Sequence, residues 1–267
     1  PGEYTNARDE DETADAYDYS DTMYKYYIDK FAGLLTKYDS CIGIDVNSKG
    51  DSRTRYDRKL WDILLQKVTP TGRNVLAIAT SDAHSTDAVY TGYTEMLMPS
   101  LTEDNFRKSL ESGAFFACSK NLGNPEEITE IANCLVESID PTAVALGEKL
   151  QAMQAEDPKG KYEAPKDVDA PKVTGIVVDQ GNDTITIVAT GDKNVRWIAN
   201  GVTIEIGNTI DLDDHKKLLG NYVRAEIFGE GGIVYTQAFM LDYEGVPESD
   251  SGNYTDLWQL ASIIPDT

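Results

Sequence analysis

The sequence is short of several things that would each have pointed to a function class. It has only two histidines, His84 and His215. Its three cysteines, Cys41, Cys118 and Cys134, are odd in number and form no CxxC pair, so neither a disulfide framework nor a zinc-finger spacing is indicated. No apolar run approaches the roughly 18 residues of a membrane span. Basic residues are in the minority: Lys and Arg number 24 against 46 Asp and Glu, a net charge of −22. Such a surface repels nucleic-acid backbones, which argues against non-specific nucleic-acid binding. A small anionic substrate would need a metal ion or a local cluster of cations to offset that field. Hydrophobic residues make up 40% of the 267, enough to bury a core.

The apolar pattern divides the chain. Residues 3–22 are acidic and Tyr-rich and read as irregular. The spacing of Met23, Tyr27, Phe31, Leu34, Leu35 and Tyr38 predicts a helix over 21–38. Cys41 to Val46 reads as a short strand, and Leu60, Trp61, Leu64, Leu65 and Val68 as the buried stripe of a helix over 57–68. Pro70 and Gly72 stop that helix, and Val75 to Ala79 is another apolar strand. Strand, helix and strand in this order predict a parallel βαβ unit. Thr102 is a good N-cap, with Leu101 and Phe106 placed for a hydrophobic staple. Gly113 ends that helix, and Ala114 to Cys118 makes a third strand of the same layer. Asn124-Pro125 opens a further helix with Ile128, Ile131 and Leu135 on its apolar face.

From Lys172 the period changes from 3.6 to 2. Short strands at 173–178, 184–188, 194–199, 202–206, 221–229 and 232–241, separated by Gly- and Asn-bearing turns, predict an antiparallel sandwich. The expected organisation is an α/β region over 1–120, a helical segment and linker over 121–171, a small Ig-like β-sandwich over 172–243 and a tail over 244–267 with a helical piece near Leu257-Trp258.

In parallel α/β architectures functional groups collect at the C-terminal ends of strands. Two such ends stand out here: Asp45-Val46-Asn47 and Thr80-Ser81-Asp82-Ala83-His84. In an extended segment Asp82 and His84 point to one face, and a carboxylate with an imidazole makes a half-site for Zn²⁺, Mn²⁺ or Fe. The plainer reading of the pair is an Asp–His contact at the surface. His215 sits in a solvated acidic stretch, and Trp197 and Tyr222 read as sandwich core. Arg53 and Arg55, in the loop after Asn47, are candidates to hold a phosphate; the plainer reading is surface arginine.

The stretch Ile42-Gly43-Ile44-Asp45-Val46-Asn47, the helix from Asp57 to Leu65, and Ile78-Ala79-Thr80-Ser81-Asp82-Ala83-His84-Ser85 together resemble the last third of the polymerase-and-histidinol-phosphatase (PHP) domain. Leu101 to Ser119 is similar to that family's closing helix and Gly-led strand, and Pro1-Gly2 fits the pair that follows a metal-binding His in its members. Residues 172–243 are similar to the sandwich appended to some bacterial members, whether cytoplasmic or secreted. The resemblance implies part of a distorted (β/α) barrel with parallel strands. It implies that Asp82 and His84 ligate one ion of a multinuclear cluster, with Asn47 and Asp45 beside it. Asp45 stands where many members carry Glu, and the family's His-x-His motif has no counterpart in the chain. The remaining ligands are therefore expected upstream of Pro1 or on an N-terminal partner fragment. The implied activity is metal-dependent hydrolysis of a small phosphomonoester or phosphodiester, with Asp82, His84 and Asn47 catalytic and Arg53 and Arg55 on the phosphate. Two alternatives stay open: a non-catalytic scaffold presenting the sandwich to a partner, and a zinc hydrolase of non-phosphate substrates.

Overall fold

The computed structural model describes residues 22–48, 57–122, 125–158 and 162–242. Arg53, Arg55, the Pro1-Gly2 pair, the acidic opening segment and the tail from 243 lie outside the described residues.

Helix α1 covers Thr22–Lys37 and strand β1 Gly43–Ser48; α2 covers Asp57–Val68 and β2 Leu76–Thr80. The α2 stripe is as the spacing predicts: Leu60, Trp61, Leu64, Leu65 and Val68 are each fully excluded from water. α1 lies turned from the expected face. Ile28, Ala32 and Leu35 are its buried residues, and Tyr38 is exposed. This stripe buries small and branched side chains against α2 and leaves the wider tyrosines at the margin. β1 and β2 pair in parallel, with Asp45 beside Ile78 and Asn47 beside Ala79. Strand, helix and strand thus form the expected parallel βαβ unit.

The unit goes no further in parallel. β3 (Gly92–Met96), α3 (Glu103–Ser112) and β4 (Phe115–Ser119) follow, and β4 pairs antiparallel with β3. Next come α4 (Pro125–Val136), α5 (Pro141–Glu156), β5 (Lys172–Asp179), β6 (Thr184–Thr190), β7 (Asp192–Ala199), β8 (Val202–Ile206), β9 (Thr209–Asp211), β10 (Tyr222–Gly229), β11 (Gly232–Tyr235) and β12 (Phe239–Met240). A seven-stranded sheet runs β3-β4-β11-β10-β7-β8, with β12 also on β10. All its pairings are antiparallel. The expected barrel of parallel strands is therefore corrected: among the described residues β1 with β2 is the one parallel pair. β4 misleads because all five of its residues are buried. Burial on both faces removes alternation whatever the strand's direction, and here it arises because β4 lies in a middle layer.

That middle layer separates two cores. β10 displays the division: Tyr222 and Phe228 join the core with α1, α2, α4 and α5, while Val223, Ala225 and Ile227 join Ile185, Ile187 and Ile210 of the β5-β6-β9 sheet. The layers are helices, seven-stranded sheet and three-stranded sheet, an α/β arrangement with an antiparallel sandwich. Trp197 is sandwich core as expected, whereas Tyr222 faces the helices. Because β4 pairs with β11, the large sheet draws strands from both sides of the 121–171 segment. That segment is itself tied down: Tyr162 and Ala164 are buried, and the Ala164 amide donates to the Lys120 carbonyl at 2.7 Å.

Local signals at α3 are mostly realised. The Thr102 hydroxyl accepts from the Asn105 amide, and Gly113 closes the helix at φ 72°. The expected staple is absent, since Leu101 is 87% exposed.

Candidate functional site

The C-terminal ends of β1 and β2 lie side by side, with Ser48 beside Thr80. A register shift between Asp45 and Asn47 turns Asp45 toward its neighbour. The Thr80 hydroxyl donates to Asp45 Oδ2 at 2.5 Å, and the Asn47 amide donates to Asp45 Oδ1 at 3.1 Å. Burial pushes the Asp45 carboxyl above its ordinary range; the Thr80 and Asn47 hydrogen bonds and the Arg58 charge oppose that rise without cancelling it.

Asn47 is fully buried. Its Nδ2 donates to the Asn121 carbonyl at 3.3 Å and to Tyr235 Oη at 3.4 Å. Its Oδ1 has no hydrogen-bond partner among the described residues. The amide thus binds the end of β1 to β11 and to the residues after β4. Arg58, at the start of α2, donates through Nη1 to the Val46 carbonyl and grips Glu127 of α4 through Nε and Nη2 at 2.9 and 2.6 Å.

Beyond Thr80 the chain leaves extended geometry. Asp82 has φ 45°, in the left-handed region that costs a non-glycine residue energy. The two-residue spacing therefore does not act through an extended strand as expected, yet the side chains still converge. His84 Nε2 stands 3.4 Å from Asp82 Oδ1, with the two side chains 80% and 46% exposed. No third His, Cys, Asp or Glu joins them to make a metal-binding group among the described residues. The other histidine is spoken for, its Nε2 lying 3.1 Å from Glu205 Oε2. Cys118 is buried, and burial pushes its thiol up to about 12, as suits a packing residue.

Sequence reasoning missed the charged network that anchors this region. On the helix-facing side of β10, Arg224 donates through Nε and Nη2 to Asp62 of α2 at 2.8 and 2.7 Å, and Tyr222 donates to the same carboxylate at 2.8 Å. Arg224 Nη1 reaches Glu226 Oε1 at 2.6 Å. Arg196 of β7 donates twice to Glu226 Oε2 and once, at 2.6 Å, to Glu130 of α4. The Arg224 guanidinium also lies 4.7 Å from the Trp61 ring centroid. Burial alone would push Glu226 up, but Arg196 and Arg224 outweigh it and hold its carboxyl at about 2. The available signal was the alternation Tyr222, Arg224, Glu226 in β10 facing Asp62 in an otherwise apolar α2 stripe.

Comparison with protein-family models, with curated proteins and with solved structures finds no match to this chain.

Proposed function

We propose that the chain carries part of a metal-dependent phosphoesterase site at the C-terminal edge of β1 and β2. In this reading β1-α2-β2 is the closing part of a PHP-type α/β domain, and 172–243 is the Ig-like sandwich appended to it. The observation that supports it most is the approach of His84 Nε2 to within 3.4 Å of Asp82 Oδ1. Two donors bound at about 2.1 Å to one tetrahedral ion stand about 3.4 Å apart, so the donor set and its spacing fit Zn²⁺ or a similar ion. Asp82 and His84 would hold that ion, and its further ligands come from outside the described residues. When bound, the ion supplies a water of lowered pKa and neutralises charge on a phosphoryl group.

The rest of the edge positions these ligands. The Thr80–Asp45 hydrogen bond fixes the β2 terminus against β1 immediately before Asp82. The buried Asn47 fixes the β1 terminus to β11. Arg53 and Arg55 are assigned to the phosphate, since a chain of net charge −22 needs cations to hold an anion.

Hydrolysis of p-nitrophenyl phosphate and of its bis-ester, with Zn²⁺ or Mn²⁺ and the N-terminal fragment that carries the remaining ligands supplied, tests this reading. Metal-dependent turnover that falls by about a hundredfold or more in Asp82→Ala and His84→Ala is expected. Metal binding at this pair without turnover of either ester would favour a binding module instead.

A further inference from the structure

β5 pairs with β6, and its other edge meets no strand among the described residues. Natural edge strands are usually guarded by prolines or charges. From Val173 to Val178 β5 has neither, and Ile176, Val177 and Val178 are 37%, 56% and 54% exposed. The strand has one irregularity, a register shift that leaves Thr174 unmatched between Val173 and Gly175. Its effect is on parity. Lys172 and Asp179, seven residues apart, face Thr190 and Thr184 on one side of the sheet. Val173, Ile176 and Val178 face Ala189, Ile187 and Ile185 on the other, the side of the sandwich core.

We propose that β5 is a homodimerisation edge, pairing antiparallel with β5 of a second copy about a twofold axis at Ile176 to make one six-stranded sheet. This register is self-complementary, as an isologous interface requires. Lys172 lies opposite Asp179 of the partner subunit, and the same pair recurs across the axis. Val173 lies opposite Val178 of the partner subunit, and Ile176 opposite its own copy. Residues facing each other fall on the same side of the sheet only because the unmatched Thr174 has shifted the parity between Lys172 and Asp179. The apolar row from the buried Ile187 to the exposed Ile176 then continues through Ile176 of the partner subunit, which extends the apolar layer without a break. The Asp179 carboxylate already accepts from the amides of Gly181 and Asn182 and from Asn182 Nδ2, which holds it in place at the strand end. Each chain carries −22, so long-range repulsion opposes the pairing and salt relieves it.

Sedimentation of the full chain from micromolar to submillimolar concentration tests the proposal. A species of twice 29.4 kDa whose share grows with added NaCl is expected. Lys172→Asp sets like charges opposite each other twice and raises the dimer Kd by about tenfold or more. Adding Asp179→Asn, which keeps an acceptor for the Gly181 and Asn182 amides, returns the Kd toward that of the starting protein. Ile176→Lys gives a monomer whose near-ultraviolet circular dichroism is unchanged. A chain that stays monomeric at every concentration overturns the proposal. So does a dimer whose Kd is unmoved by both Lys172→Asp and Ile176→Lys.

Discussion

Substituting Glu226 by Gln removes one negative charge from between two buried guanidinium groups while keeping the side chain's shape. Glu226 is 1% exposed, and Arg196 and Arg224 are 4% and 2% exposed. After the change Arg224 keeps Asp62, and Arg196 keeps only Glu130, whose side chain is 58% exposed. Removing one partner of a buried ion pair costs about 3–5 kcal/mol, chiefly because the remaining charge stays out of water uncompensated. For a chain of this size that is a fall of roughly 6–10 °C in Tm. Glu130→Gln, at the wet end of the same chain of contacts, should cost under about 1 kcal/mol. Urea unfolding at neutral pH, followed by circular dichroism, compares the two. If Glu226→Gln costs no more than Glu130→Gln, the buried network is not what holds α2 and α4 on the sheet.

The same carboxylate predicts an acid dependence. Its folded pKa of about 2 lies below the ordinary 4.5, so its contribution is whole above pH 4.5 and is lost as pH falls toward 2. The loss amounts to about 3 kcal/mol, and the stability gap between the unsubstituted protein and Glu226→Gln should close over that window in urea titrations. Gly92→Ala places a methyl 2.4 Å from the Thr80 carbonyl oxygen, so β3 must move off the ends of β1 and β2. A cost of about 1–3 kcal/mol is expected by urea unfolding, with loss of metal binding at Asp82 and His84.

How far the sequence revealed this fold depended on whether the signal was local. The α2 stripe, the Thr102 cap and the Gly113 stop act within a turn or two, and periodicity or capping chemistry identifies them directly. The direction of β4 is not local. An apolar run says that both faces are covered, not by what, and β4 is covered by helices on one side and the β5-β6-β9 sheet on the other. The charged face of β10 was obscured for a related reason. Alternation assigns residues to two faces, and polar residues on one of them suggest solvent unless counter-charges are known to lie opposite. Those counter-charges are Asp62, more than 150 residues earlier (a separation of 162), and Arg196 on the neighbouring strand. At the candidate site the sequence identified the two strand ends and the Asp82–His84 pair. It did not reveal that Asn47 is turned into the interior toward Asn121 and Tyr235, because those contacts join segments 74 and 188 residues away.

Two histidines in the whole chain make the central claim open to one direct observation. In ¹H–¹⁵N spectra of the imidazoles, His84 and His215 give separate signals, each assigned by a single substitution. Substoichiometric Mn²⁺ should broaden the His84 signals and spare those of His215, and Asp82→Asn should abolish the selectivity. Signals of both histidines unmoved by Mn²⁺ and by Zn²⁺, or broadened alike, would contradict a metal site at the end of β2.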